Sequence, residues 1–427
     1  MNDKVANPSR SAPRRKALLI SEVFPPKTGG SGRWFWEIYR RLPREECVIA
    51  AGEDARQDQF DATHDLHLMR LPLSFTTWGI ASVSGIRQYL RTAWRIRRIV
   101  AANKVTMLHC GKCLPEGFLA WILHRLTGIP YLCYVHGEEM NLASTSRELA
   151  WLTRRVLGGA QFVIANSRNT ESILKQNWDL SDERVRLLHP GVDTDWFVPC
   201  ERNEPQRKLL GWTDRRVLLT VGRLQKRKGH DHLIMALKWI KEAIPEVIYA
   251  IVGDGDELGF LKALAVENKV EHHVQFLGEL SDEALRRCYQ QCDLFVLPNR
   301  QVGQDIEGFG MVLLEAQACG KPVVAGNSGG TAETMDLPHT GLVVDCENPE
   351  TLAQNIISLL RDDNRLREMG EAARPWTIKE FDWKNLSLRA AKLFSGLLLA
   401  ECKETQKEPH VLASAIATPI SSEHGTY

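Results

Sequence analysis

The sequence predicts an α/β protein built from two Rossmann-like, doubly wound domains that face each other across a cleft. Three observations carry this expectation. Short apolar runs alternate with amphipathic helical stretches over most of the chain. Each half contains Gly-rich loops placed between a strand pattern and a helix pattern. The length, 427 residues, exceeds what one hydrophobic core supports.

In the first half, residues 16–20 read as a strand. It runs into Pro25-Pro26-Lys27-Thr28-Gly29-Gly30-Ser31-Gly32 and then a helix over 33–42. This loop fits neither G-x-G-x-x-G nor the P-loop, yet its glycines would let a backbone approach an anion at a helix start. Strands follow over 47–51 and 66–71. A helix over 85–103 carries Arg87, Arg91, Arg95, Arg97 and Arg98 beside Ile86, Leu90, Trp94 and Ile99. That helix reads equally as a binder of anionic membrane surfaces and as the outer face of a helix packed on a sheet. Strands over 107–110 and 131–135 come next, the second ending in His136-Gly137-Glu138-Glu139. A histidine at the carboxyl end of a strand stands where open α/β sheets bind ligands. A strand over 162–165 leads to Asn166-Ser167, a helix cap, and a strand over 185–188 precedes the polar stretch 200–208, expected as the interdomain linker.

The second half repeats the rhythm, with strands over 217–221, 247–252, 274–277 and 294–297. The first ends in a loop flanked by Arg223 and Lys228, cations able to clamp a diphosphate. Residues 303–330 read as loop, helix, turn, strand, loop. Glu307 stands before the Gly308-Phe309-Gly310 turn and Glu315 stands two turns along. Amides at a helix N-terminus, exposed by glycines, attract phosphate, and the carboxylates would meet hydroxyls. A short strand over 342–344 and helices over 351–360 and 381–399 complete the pattern. The expected layout is a disordered N-terminus at 1–15, an acceptor domain at 16–199, a donor domain at 200–375, a helix returning to the first domain at 376–400, and a disordered tail at 401–427.

Composition narrows the partners. The chain is 44% hydrophobic and 25% charged with a net charge of +1, so nucleic acid is not expected as a partner. Its ten cysteines are scattered and read as reduced, in a cytoplasmic protein. Cys110-x-x-Cys113 lacks further ligands at zinc spacing, and Asp254-x-Asp256 is equally bare, so no metal site is expected. No apolar run reaches the length of a membrane span.

Taken together, these motifs resemble the retaining glycosyltransferases of family GT4, with the GT-B fold. The matching residues are Gly29-Gly30-x-Gly32, His136-Gly137-x-Glu139, Asn166-Ser167, Pro190-Gly191-Val192-Asp193, Gly222-Arg223 with Lys228-Gly229, Gly253-x-Gly255, and Glu307-Gly308-Phe309-Gly310 with Glu315-Ala316. Within the family, the run from Asp305 to Gly310 with Ala316 to Gly320 and Ser328-Gly329-Gly330 is most similar to phosphatidylinositol mannosyltransferases of the PimB type, which use GDP-mannose. The resemblance implies transfer of a hexose from a nucleotide-diphosphate sugar to a hydroxyl on a lipid or growing glycan, without a metal cofactor.

By position, it implies that Arg223 and Lys228 hold the donor diphosphate, with Gly30 touching it from the first domain. Glu315 would accept from the ribose. Glu307 and the backbone of Gly308, Phe309, Gly310 and Met311 would bind the transferred sugar, and His136 would approach its reacting carbon. The base would lie near Gly253, Leu277 and Leu280. Trp34, Phe35 and Trp36 after the Gly loop, and Glu22 before it, depart from the PimB pattern on the acceptor side. A non-hydrolysing sugar-nucleotide epimerase and a non-catalytic nucleotide-sugar-binding subunit are the alternatives on this architecture, and peripheral association with the inner face of a membrane is a further expectation.

Overall fold

The structure, a computed structural model, describes residues 16–396. The expectations for 1–15 and 401–427, and the end of the last expected helix, lie outside these residues. Two parallel sheets organise the rest. The first contains β1 (Ala17–Ser21), β2 (Cys47–Gly52), β3 (Leu68–Leu71), β4 (Met107–Cys110), β5 (Tyr131–Val135), β6 (Phe162–Ala165) and β7 (Val185–Leu187), in the order β3-β2-β1-β4-β5-β6-β7. The second contains β8 (Arg216–Val221), β9 (Val247–Val252), β10 (Val274–Gly278), β11 (Leu294–Leu297), β12 (Val323–Gly326) and β13 (Gly341–Val344), in the order β10-β9-β8-β11-β12-β13.

Helices cover both faces of each sheet, which is why the strands read as unbroken apolar runs: every residue of β5 and of β9 is buried. Each sheet reverses its winding direction once. The reversal falls between β1 and β4 in the first sheet and between β8 and β11 in the second. Crevices form at the carboxyl ends of strands at such points.

Three local expectations are corrected. The helix after the first Gly-rich loop starts at Gly30 rather than 33, so the glycines form its first turn. The polar stretch after residue 200 is partly helical, Glu204–Leu210, with Asn203 capping Gln206 N–H and Pro205 in the first turn. The last predicted helix, 381–399, starts two residues later, and a helix not predicted precedes it, so the expected returning segment 376–400 begins inside that earlier helix. One helix runs Asp363–Phe381 and the next Trp383–Ser395, separated by Asp382, which is extended and caps Lys384 N–H. The final helix packs onto the first sheet: Trp383, Leu386, Ala390 and Leu393 share one core with Leu19, Trp34, Phe35 and Ile49.

The halves also touch at the cleft. Glu333, from the second half, accepts the backbone N–H groups of Arg168 (2.7 Å) and Asn169 (3.0 Å) and pairs with His189 Nε2 at 3.0 Å. A carboxylate from one half thereby caps the first turn of a helix, Arg168–Trp178, in the other. Asn141 adds a bond to Gln304 O at 3.0 Å.

Candidate active site

The second half builds its part of the site around β8. Gly229, with φ of 74°, turns the chain where a Cβ would lie 1.7 Å from Pro298 O, so only glycine fits. This turn brings Arg227 and Lys228 over the winding reversal, and both are buried. Glu307, also buried, receives Lys228 Nζ at 2.7 Å and a contact from Arg227 Nη1; Arg227 Nε reaches Asp305 at 3.3 Å. Burial works to raise the Glu307 pKa, but Lys228 and Arg227 outweigh it and hold the carboxylate below its usual range. Lys228 is itself lowered, chiefly by burial and further by Arg227 and Arg223, with Glu307 opposing. The result is a charge-dense cluster of two cations and two carboxylates, with the cations held in place before any ligand arrives.

Next to it begins the helix Met311–Ala318, capped by Gly310 in the left-handed region with φ of 98°. No side chain caps this helix start. One turn further, Glu315 accepts from Tyr289 Oη at 2.7 Å. Burial raises the Glu315 pKa, with Arg33 of the first half and Tyr289 acting against it.

The first half supplies the facing wall. Its Gly30–Tyr39 helix also starts without a side-chain cap, and a Cβ on Gly30 would lie 3.4 Å from Met311 Cε. Two helix N-termini, one from each half, thus lie within the reach of one methionine side chain, each with a positive dipole end and no side-chain cap. His136 stands at the end of β5. Its Nε2 lies 2.8 Å from Gly111 O, which can only accept, so Nε2 carries the proton. Its backbone N–H is taken by Glu139 Oε1 at 2.8 Å. Trp34 and Phe35 lie edge-on behind the imidazole at 5.7 Å and 6.0 Å.

The structure therefore brings together His136, Gly30, Lys228, Glu307, Gly308, Gly310, Met311 and Glu315. Other predicted positions sit differently. Arg223 is exposed at the edge of its turn. The Phe309 side chain is in the core, stacked on His189 at 5.2 Å, which leaves only its backbone for a ligand. Gly253 meets a packing demand of its own, since a Cβ there would lie 2.1 Å from Gly222 O. Leu277 and Leu280 are partly buried against the second core. Trp34 and Phe35 are core residues that support His136 rather than acceptor-facing ones, which corrects that expectation.

Sequence reasoning passed over Arg227, although the run Lys226-Arg227-Lys228 displays it. It passed over Tyr289 too, whose partnership with Glu315 spans 26 residues and has no local signal. In the sequence Glu139 stands out only within the His136-Gly137-x-Glu139 pattern; its role as acceptor for the His136 amide is visible only in three dimensions.

Comparison with known proteins fits this geometry. Residues 28–196 match the family described as Glycosyltransferase Family 4, and residues 202–376 match Glycosyl transferases group 1. The chain is 32% identical over 386 residues to the GDP-mannose-dependent alpha-(1-6)-phosphatidylinositol monomannoside mannosyltransferase of Mycolicibacterium smegmatis, covering 89% of this chain and 98% of the relative. The chain belongs to glycosyltransferase family 4.

A second relative, the GDP-mannose-dependent monoacylated alpha-(1-6)-phosphatidylinositol monomannoside mannosyltransferase of Corynebacterium glutamicum, is 31% identical over 90% of this chain and 98% of its own length. Among solved structures, Anabaena Alr3699/HepE in complex with UDP superposes with a TM-score of 0.76 at 20% identity, covering 89% of this chain and all of that one. Sucrose-phosphate synthase from Thermosynechococcus elongatus gives 0.73 at 22% identity, over 90% and 100%. These likenesses establish the GT-B fold. This family 4 glycosyltransferase has no group of three or more His, Cys, Asp or Glu arranged to hold a metal among its described residues.

Proposed function

We propose that this glycosyltransferase moves mannose from GDP-mannose, with retention at the anomeric carbon, onto a hydroxyl of a lipid-linked sugar. The observation that carries this reading is that the uncapped Gly30 and Met311 helix starts, one from each half, stand within one Met311 side chain of each other next to the Lys228, Arg227 and Glu307 cluster. Here the diphosphate sits against the two helix starts and Lys228, with Arg223 closing over it from the exposed side. As the bond between C1 and the phosphate oxygen breaks, charge grows on the β-phosphate, and these fixed cations and amides stabilise it without reorganising. They provide the electrostatic work that a metal does elsewhere, so metal independence is part of the proposal.

Glu315 takes the ribose hydroxyls, and Glu307 with the Gly308–Met311 backbone takes hydroxyls of the mannose. Guanine lies by Gly253, Leu277 and Leu280. His136 approaches the reacting carbon, its Nε2 proton tied to Gly111. The acceptor oxygen attacks from the face the phosphate leaves, forming the C1–O bond while its proton passes to the departing phosphate oxygen. The mannose and guanine assignments draw on the names of the two relatives at 32% and 31% identity.

Thermal unfolding with a panel of GDP-, UDP- and ADP-sugars, each with and without Mg²⁺, tests the donor. GDP-mannose is expected to raise the melting temperature equally in both conditions, by the linkage RT ln(1 + [L]/Kd). A shift confined to UDP-sugars would replace the donor assignment, and a shift that needs Mg²⁺ would remove the metal-independent mechanism.

The acceptor reading extends to the membrane. The helix Val83–Asn103 exposes Val83, Ile86, Leu90 and Trp94 alongside Arg87, Arg91, Arg95 and Arg98, and Arg98 lies 4.9 Å from the Trp94 ring. Arg87, Arg91 and Arg95 line a groove together with Pro72 and Val83. No helix among the described residues is long and apolar enough to cross a membrane. Apolar and cationic side chains on one solvent-facing helix suit an anionic interface, with each cation near the surface contributing about 1 kcal/mol. Flotation with phosphatidylinositol-containing vesicles is expected to carry the wild type upward, and replacing Arg91, Arg95 and Arg98 with Gln is expected to leave most of it at the bottom. Equal flotation of both proteins would remove the membrane reading.

A further inference from the structure

The two sheets each have a winding reversal, and from the one in the first half the donor reading uses only the Gly30 helix start. The reversal in the first sheet, between β1 and β4, is lined by Glu22, the residue after β1, and Lys112, two residues after β4. Glu22 Oε2 pairs with Lys112 Nζ at 2.7 Å and Glu22 Oε1 with Lys27 Nζ at 2.9 Å. The pair is neither buried nor free: the Glu22 and Lys112 side chains are 16% and 18% exposed.

Beneath it lie two further carboxylates. Glu116, 1% exposed, spends Oε1 on the Glu22 backbone N–H at 2.9 Å, and its Oε2 has no hydrogen-bond partner among the described residues. Glu139 spends Oε1 on His136 N–H, and its Oε2 is likewise unpartnered. Both carboxylates act on the Lys112 ammonium. The Trp78 ring lies 5.2 Å from Lys112 Nζ. The surrounding loop is pinned, because Arg70 bonds Pro25 O at 2.6 Å and Arg56 bonds Pro26 O at 2.9 Å. The cluster stands between the loop that leads to Gly30 and Gly111, the residue that holds His136, so it borders the place assigned to the reacting carbon.

We infer that the Glu22–Lys112 pair is the acceptor-positioning element of this enzyme and that it binds an uncharged sugar or polyol hydroxyl. A hydroxyl can donate to a free lone pair of the Glu22 carboxylate, and a neighbouring hydroxyl can accept from an ammonium N–H of Lys112 that Glu22 does not use, so the pair held at 2.7 Å presents an acceptor and a donor side by side. A phosphate would meet three carboxylates, with Lys112 and Lys27 already engaged by Glu22. The Trp78 ring beside Lys112 offers an apolar face to sugar C–H groups. This inference rests on the glycosyl-transfer reading above; it adds which residues choose the acceptor and what chemical class they accept.

The test uses the full chain as wild type, Glu22→Gln and Glu22→Asp. GDP-mannose Kd is measured by calorimetry. Transfer is measured to phosphatidylinositol monomannoside in micelles, to methyl α-mannoside and to mannose 6-phosphate. Expected for Glu22→Gln is an acceptor kcat/KM about 10- to 100-fold lower, the range of one charge-assisted hydrogen bond, expressed more in KM than in kcat. Glu22→Asp should recover part of it, and GDP-mannose Kd should stay within about twofold for both variants. Unchanged acceptor KM and kcat in Glu22→Gln, donor affinity falling in step with transfer, or transfer from bound GDP-mannose to mannose 6-phosphate with none to methyl α-mannoside would each overturn the inference while leaving the donor reading intact. Failure of the wild type to bind any nucleotide sugar would remove the functional reading first, and this inference with it.

Discussion

Lys228→Ala is expected to lower kcat/KM for sugar transfer by about 10²- to 10³-fold, the effect of removing one preorganised charge-stabilising group. Its ammonium lies 2.7 Å from Glu307 in a buried setting, and Gly229 fixes its position by passing against Pro298 O. Substrate does not have to pull this charge into place. The folded state should tolerate the loss, because Glu307 keeps its contact with Arg227, and an uncompensated buried carboxylate is thereby avoided. Lys228→Arg restores the charge but places a second planar guanidinium beside Arg227, so it should recover only part of the rate. Steady-state kinetics, with thermal unfolding to confirm the fold, separates these outcomes. A Lys228→Ala enzyme with the wild-type rate would show that the Lys228–Glu307 pair is a structural ion pair, and the donor site would have to be sought elsewhere.

That such a site was legible in the sequence follows from how the parts are encoded. Buried parallel strands must be apolar on both faces, so β5, β9 and β11 appear as short unbroken runs within a residue of their true ends. Helix starts that approach a ligand or another backbone must carry glycine, so Gly30, Gly229 and Gly310 announced the loops. What stayed hidden depends on three-dimensional neighbours. The segment 33–36 is aromatic throughout apart from its arginine, and periodicity does not say that Trp34 and Phe35 turn inward behind His136. The run Phe381-Asp382-Trp383 looks continuous with its flanks, yet Asp382 serves as the cap that starts a new helix and also binds the Thr194 hydroxyl, a contact across 188 residues. Arg227 carries no signal of its own between Lys226 and Lys228, and only its burial and its contacts with both Glu307 and Asp305 distinguish it. Glu333 had no motif at all, because it works by capping a helix in the opposite half.

Gly308→Ala is expected to cut kcat by about 10²-fold while leaving GDP affinity within a few fold, which would separate closure of the two halves from donor binding. An added Cβ would sit 2.7 Å from His136 O and 3.1 Å from Asn166 Nδ2. The first is a backbone atom of the opposite half, itself held by Asn166 at 3.1 Å, so it has little freedom to withdraw. Gly330, packed on Gly308, is equally tight: a Cβ there would lie 2.7 Å from both Gly308 O and Ser167 Cβ. A methyl group at 308 must therefore push the halves apart, or shift β5's end, by a fraction of an ångström. His136 lies on that moving edge, and a misplacement near 1 Å in a reacting geometry costs about 10² in rate. Nucleotide contacts assigned to Lys228, Arg223 and Glu315 belong to the second half and would move together, and only the Gly30 contact from the first half would loosen, which is why a change of a few fold in GDP affinity is allowed. Gly259→Ala serves as the control, since that glycine has open space around its Cβ position and lies in the first turn of Leu258–Glu267, where alanine favours the helix. It should retain both rate and affinity. If Gly308→Ala also keeps the wild-type kcat, the contact between Gly308 and His136 is dispensable, and the catalytic arrangement does not depend on the halves meeting at that point.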